Sequence, residues 1–549
     1  MWLSLTRTIR RVGFGLRMFG GIGLRRGYKG VNEEEEGEYD DLSTEDNFGA
    51  KNNKSGIMYQ RPWIILTETE LNVYKGMFNS SEMELLKSMI QGRALSSFNK
   101  SDILEVSNKL AIIDISMAPI RHLFCLMKWV GTSPLRKYDF RLSSKLALTI
   151  YNQLKTRGAL DEFLLIKEDV SDDLKFDPRR SKPIEQDTPE WQESINHMTL
   201  IFEKSAQQDD WLSNHLDILV SLSNINIYIH ELMMSAKMWL LYTAERVPAN
   251  DLEDKVIYMS RFRSGNYVWA YIRFGINDQN LYNEVFLKHY SDKDSNTNLL
   301  RSLVKAHLMG IQYMLTPPAR RTQIHVEAIN KQLEKMIEHT SGKQYVFTSK
   351  NARMLCQLVL AIYPEVAKHV RNQTFYMAYP NESNPFAKHY RALNKLLVIS
   401  NWLIHENFKN QSSKRGFNIT YFEGDGVFQT SSRSSYLGRS RGFEHKVTQA
   451  FLRYCGSDIY LETNAIMGFY EIDMLANDNA VIEINSSTHF VYNTTIPIIA
   501  QQIKDMQLEL LGATIVKHVN HFEFEQYLAQ GPSAIERQVQ SIMNEIKEI

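Results

Sequence analysis

Residues 470–485 read YEIDMLANDNAVIEIN: two β-prone apolar runs separated by Asn477, Asp478 and Asn479. Asn and Asp tolerate positive φ, so this spacing predicts a tight turn and a hairpin. The flanking segments extend the pattern. FEHKVTQAFLRYCG (443–456) has amphipathic helical spacing, and DIYLETNAI (458–466), GFYEIDMLA (468–476) and NAVIEIN (479–485) read as strands. PIIAQQIKDMQLELLG (497–512) reads as a helix stopped by Gly512, ATIVKHVNHFEF (513–524) as a strand, and PSAIERQVQSIMNEI (532–546) as a helix with Pro near its start. The expected order, α-β-β-β-α-β-α, defines an α/β domain over 442–549 of ordinary size.

Upstream, the period changes to that of helices. Residues 57–171 form one helical region, with helical spacing in SDILEVSNKLAIIDISMAPIRHLFCLMKWV (101–130) and SSKLALTIYNQLKTRG (143–158). A polar, proline-bearing linker is expected at 172–194. Residues 195–405 read as stacked helices. Leu212, Leu216 and Leu219 share one face, as do Val268, Tyr271 and Ile272, and then Tyr282, Val285 and Phe286. Gly275 should end one helix and Asp278 should cap the next. A shift of about 35 residues lays Gly275 on Gly310, a period typical of helical-hairpin repeats. The fold class expected is therefore mainly α: a repeat-like α-solenoid body, or an ordinary helical domain, carrying a C-terminal α/β domain.

The chain has 549 residues and no net charge, but the charge is uneven. Residues 1–31 contain no acid and carry Arg7, Arg10, Arg11, Arg17, Arg25, Arg26 and Lys29 among apolar residues. That composition is expected of a mitochondrial transit peptide, and so places the protein in the matrix; a basic tail that binds nucleic acid is the alternative. Residues 32–56 are acidic, poor in apolar residues and expected to be a disordered spacer. Cys125, Cys356 and Cys455 fit neither a zinc spacing nor a disulfide framework. No apolar run is long enough to span a membrane, and no phosphate-loop, dinucleotide or zinc-protease motif is present, so no cofactor is expected.

Two groups of candidate binding residues follow. The segment 406–441 is rich in Ser, Gly and Asn, and it interleaves Lys414, Arg415, Arg433, Arg439 and Arg441 with aromatic residues. Arginines plus aromatics can grip and stack single-stranded RNA, although a solvated linker has the same composition. Arg320 and Arg321 sit at an expected turn and could touch phosphate. The second group is Asp473 and Glu483, two carboxylates on neighbouring strands, followed by Asn485 and by His489. His489 could pair with Glu483, contact phosphate or serve structure.

YEIDMLANDNAVIEINSSTHF (470–490) and LLGATIVKHVNHFEF (510–524) resemble the core of the RAP domain. That module ends FAST-kinase-like proteins and organellar octotricopeptide- and heptatricopeptide-repeat proteins. VWAYIRFGINDQNLYNEV (268–285) resembles the helical repeats that accompany it. The resemblance implies a restriction-endonuclease-like domain in a mitochondrial RNA-associated protein acting in RNA processing, RNA stability or mitoribosome assembly. Its partners would be mitochondrial RNA and mitoribosomal proteins. It places Glu444, Asp473 and Glu483 at the three acid positions of the nuclease fold, with Asn485 where a nuclease has lysine and the family an acid. A nuclease needs all its parts, so RNA recognition through Asp473, Glu483, Asn485 and His489 is expected over cleavage, with no resident metal. The alternatives are a metal-dependent endonuclease using Asp473 and Glu483, and a structural subunit of the mitoribosome or another large mitochondrial complex.

Overall fold

A computed structural model describes residues 66–93, 95, 98–165, 189–205, 211–246, 261–278, 280–287, 299–316, 329, 357–362, 364, 367, 419–420, 429–430, 443–456, 459–468 and 470–548. The N-terminal segment, Arg320, Arg321, Lys414, Arg415, Arg433, Arg439 and Arg441 lie outside these residues. Within 406–441 the structure describes one short antiparallel ladder, Ile419–Thr420 with Gln429–Thr430.

The body is helical. Helix α1 (Ser80–Gln91) opens on a capping box between Asn79 and Glu82 and closes on Gly92 at φ 63°. The stretch 101–130 is two helices, α2 (Lys100–Ile112) and α3 (Ile120–Thr132). Pro119 bars a helix entering from upstream, and Asp114 turns the chain by accepting from Ser116 N at 2.8 Å. Asp139 caps α4 (Phe140–Thr156). The last residues of the expected linker are the first turn of α5 (Pro189–Ser205), where proline is favoured. Then come α6 (Trp211–Asn224), α7 (His230–Arg246), α8 (Arg261–Arg273), a π-helical turn (Leu281–Leu287) and α9 (Leu299–Leu315).

Residues on either side of 172–194 share one core. Trp239 of α7 is fully buried and donates to Phe163 O at 3.0 Å, and Tyr151 of α4 donates to Glu231 at 2.9 Å. Gly275 (φ 72°) ends α8, and Asp278 Oδ1 caps the π-helical turn by accepting from Leu281 N at 3.0 Å, as the spacing predicts. Asp278 also pairs with the buried Lys237. Gly310 has a different task from Gly275. It lies inside α9, and a Cβ there would fall 2.6 Å from Leu358 Cδ1. Gly310→Val is therefore expected to cost about 1–3 kcal/mol by overpacking, read as a lower urea midpoint. An unchanged midpoint would show that this helix contact is loose.

The C-terminal sheet is mixed. Strands β1 (Leu461–Met467), β2 (Tyr470–Ala476) and β3 (Ala480–Asn485) form an antiparallel meander, and β4 (Ile515–Asn520) joins β3 in parallel. The β2–β3 turn has three residues between the paired Ala476 and Ala480, with Asn477 at φ 48° and Asp478 at φ 65°, the positive φ that Asn and Asp tolerate. Four helices complete the unit: α10 (Phe443–Tyr454), α11 (Ile499–Leu510), α12 (His521–Gln530) and α13 (Pro532–Lys547). The expected strand 513–524 stops at Asn520, whose side chain accepts from Phe522 N at 2.9 Å and starts α12. The order is thus α-β-β-β-α-β-α-α.

Both sheet faces are covered. Ile482, Ile484 and Val519 pack with Val447, Phe451, Phe524 and Val539 in a local core. Met467, Tyr470, Ile472 and Val481, with Ile499 and Ile503 of α11, belong to the core of the helical body. Buried polar contacts fix this seam. Tyr470 OH accepts from Gln357 Nε2 at 3.1 Å and donates to Gln507 Oε1 at 2.5 Å. Asn226 donates to Thr488 O at 2.6 Å and accepts at Oδ1 from Arg273 at 2.9 Å. Among the described residues no helix is long and apolar enough to cross a membrane.

Candidate functional site

The candidate acids stand where the central strands separate. The β2–β3 register runs from Ala476↔Ala480 to Met474↔Ile482, and one more step would set Asp473 opposite Glu483. Asp473 Oδ2 instead accepts from Ile484 N at 2.6 Å, so a side chain continues the ladder in place of backbone. On the other side of β2, the register skips Asn464 and Asp473, and Asn464 has φ 56°. A kink on β1 and a carboxylate on β2 therefore lie side by side, and because one residue is skipped on each strand the register resumes unshifted beyond them.

Glu483 is 2% exposed and lies on the α11 face of β3. Lys504 of α11 donates to its Oε2 at 2.8 Å, and the Lys504 side chain is itself only 12% exposed. The same ammonium sits 5.9 Å from the centre of the Tyr470 ring. Burial of two charges is tolerable only when they are paired in this way.

Asn485, 1% exposed, links two histidines. Its Nδ2 can only donate, so His518 Nδ1, 2.8 Å away, must accept. His518 then carries its proton on Nε2, facing Asp505 Oδ2 at 3.0 Å. Asn485 Oδ1 can only accept, so His489 Nδ1 donates at 3.0 Å. Gln501 Nε2 donates to the far oxygen of Asp505 at 2.9 Å. A string His489–Asn485–His518–Asp505–Gln501 therefore runs from the loop after β3, across β4, onto α11. Each donor and acceptor in it is assigned by its neighbour, so the string fixes orientation.

The structure brings together some of the predicted residues and separates others. Asn485 and His489 meet directly; His489 pairs with Asn485, not with Glu483. Asp473 lies midway along β2 and Glu483 in the second half of β3, just past the point where their ladder stops, and they are held by different partners. Glu444 lies on α10, which covers the sheet face opposite that of Glu483, so the three acids do not converge. Among the described residues no group of three or more His, Cys, Asp or Glu side chains is placed to hold a metal ion. Sequence reasoning missed Lys504, Asp505 and His518. The available signal was the polar stripe Gln501, Lys504, Asp505 on a helix due to pack on the sheet.

Compared with protein-family models and with curated protein sequences, the chain finds no match.

Proposed function

We propose that this chain is a mitochondrial RNA-associated protein whose C-terminal α/β domain recognises RNA, or RNA within a ribonucleoprotein, without cleaving it. The RNA and the organelle come from the RAP-like strand pair and the acid-free arginine-rich N-terminus. A mainly helical body ending in a small mixed sheet is compatible with that resemblance. The observation that carries recognition over cleavage is the closed Glu483–Lys504 pair. A hard cation needs carboxylate oxygens free to coordinate it, and here one of the two strand carboxylates already neutralises a buried lysine.

One observation favours a second reading. Lys504 restores, from α11, the positive charge that Asn485 does not supply on β3. If the ion pair opened on substrate binding, Asp473, Glu483 and Lys504 would be the parts of an endonuclease.

Ultraviolet crosslinking in intact cells, followed by sequencing of the bound RNA, tests the proposal; recovery of mitochondrial RNA is expected. Its absence would turn the reading to a protein scaffold in a large assembly. The purified full chain incubated with that RNA and magnesium should leave it intact. Magnesium-dependent cleavage that disappears in both Asp473→Ala and Glu483→Ala would replace recognition with catalysis.

A further inference from the structure

A groove of about 470 Å³ opens between α10 and α12, away from the strand-end site. One helical stripe from each helix lines it: Phe443 and Lys446 at i, i+3 on α10, and Glu525, Leu528 and Ala529 at i, i+3, i+4 on α12. The volume falls within the range of small-ligand sites. Phe443 is held edge-on by two neighbours, His521 at 4.5 Å and Phe524 at 6.1 Å between ring centres.

The rim is completed by the helical body. Arg141 of α4 donates from Nη2 to His521 Nε2 at 3.1 Å and lies 3.7 Å from Glu525 Oε2, while His521 Nε2 lies 3.4 Å from Glu525 Oε1, so a ligand that pairs with Glu525 competes with both neighbours. A nitrogen that accepts from a guanidinium carries no proton, so His521 is neutral in this contact; its burial, which disfavours the charged ring, acts the same way. The groove therefore presents an aromatic ring, an apolar wall, one carboxylate that is 48% exposed, and two cations, Lys446 and Arg141.

We infer that this groove seats one unstacked guanine base. Phe443 and Leu528 line the groove with apolar surface against which a base can lie, as in single-strand recognition. Glu525 is the specificity element. An ionised carboxylate only accepts hydrogen bonds, and it accepts two in parallel. On its Watson–Crick edge guanine alone sets two donors side by side, N1–H and the N2 amino group. Adenine, cytosine and uracil each put an acceptor beside their donor, and a carboxylate repels it. Lys446 and Arg141 supply the positive charge for the attached phosphate. Taking RNA as the source of the base rests on the reading above; the guanine preference rests on the groove alone.

The test uses the purified full chain. Saturation-transfer NMR with GMP, AMP, CMP and UMP should show GMP bound in preference to the other three. Glu525→Gln, at an exposed position, offers one acceptor and one donor, and should lower the guanine preference about tenfold, the worth of one good bidentate pair. Phe443→Leu keeps the apolar packing and should weaken all four nucleotides. Equal binding of the four by the natural chain, or a guanine preference unchanged in Glu525→Gln, would overturn the inference. Fluorescence anisotropy with labelled single-stranded RNA separates the two proposals. RNA binding without guanine preference sinks the groove and leaves the RNA reading standing. GMP preference without RNA binding sinks the RNA reading and leaves a free-nucleotide site.

Discussion

Glu483→Ala is expected to destabilise the protein by about 3–5 kcal/mol, because it leaves the Lys504 ammonium buried without its counter-charge. The two side chains are 2% and 12% exposed, so water screens little of the loss. Lys504→Met should cost a similar amount by stranding the carboxylate. The double variant Glu483→Leu with Lys504→Met should recover most of the stability, since an apolar pair of similar volume needs no neutralisation. Urea unfolding of the natural chain, Glu483→Leu, Lys504→Met and their double variant gives the coupling. If Glu483→Ala unfolds at the natural midpoint, the carboxylate is not spent on stability, and the nuclease reading gains ground. The double variant is the sharper tool for function. A folded chain lacking both charges that still binds RNA would show that the pair supports the site without touching the ligand.

The hairpin and its neighbours were readable because local chemistry decides them. Asn477 and Asp478 tolerate the positive φ that their turn requires, Gly512 ends a helix, and Pro532 begins one. The strand that became α12 was not readable by alternation, since His521-Phe522-Glu523-Phe524 alternates like a strand while Asn520 caps it as a helix. There the cap and the i, i+3, i+4 set Phe524, Tyr527 and Leu528 prevailed over β propensity. The partners of the acids were hidden for another reason. Lys504 lies 21 residues from Glu483 in sequence, and only the parallel crossover from β3 through α11 to β4 brings it back. One signal went unread. In Ala480–Asn485 apolar residues occupy both parities, and every position is buried. A strand of that kind is covered on both faces, which already argued that the domain has a second, larger neighbour.

A fragment spanning residues 443–549, produced alone, is accordingly expected not to reach its native fold, contrary to what its size and complete element order suggest. One face of its sheet is finished by the body. Ile503 and Gln507 line a cavity of about 10 Å³ with His307, Met314 and Leu358, and Gln507 Nε2 donates to Gln357 O at 2.8 Å. Tyr470 is 1% exposed and takes its second hydrogen-bond partner from the body as well. Each large side chain uncovered loses about 1.5–3 kcal/mol, so a few of them match the roughly 5–15 kcal/mol that holds a whole domain. The fragment should give poorly dispersed amide spectra and bind hydrophobic dyes, and co-expression with the body should restore order. A well-dispersed, monomeric fragment would show instead that the seam is a late and separable contact. The cohesion bears on function because Arg141, from the body, contacts both His521 and Glu525 of the domain. Removing either part would destroy the groove and the seam together, and truncations would assign the proposed RNA binding to whichever piece happened to stay folded. Arg141→Gln and Glu525→Gln, at positions 69% and 48% exposed, leave both cores intact. They are the substitutions that can divide recognition from folding: weaker RNA binding at an unchanged urea midpoint places recognition at this rim, and unchanged binding removes it from there.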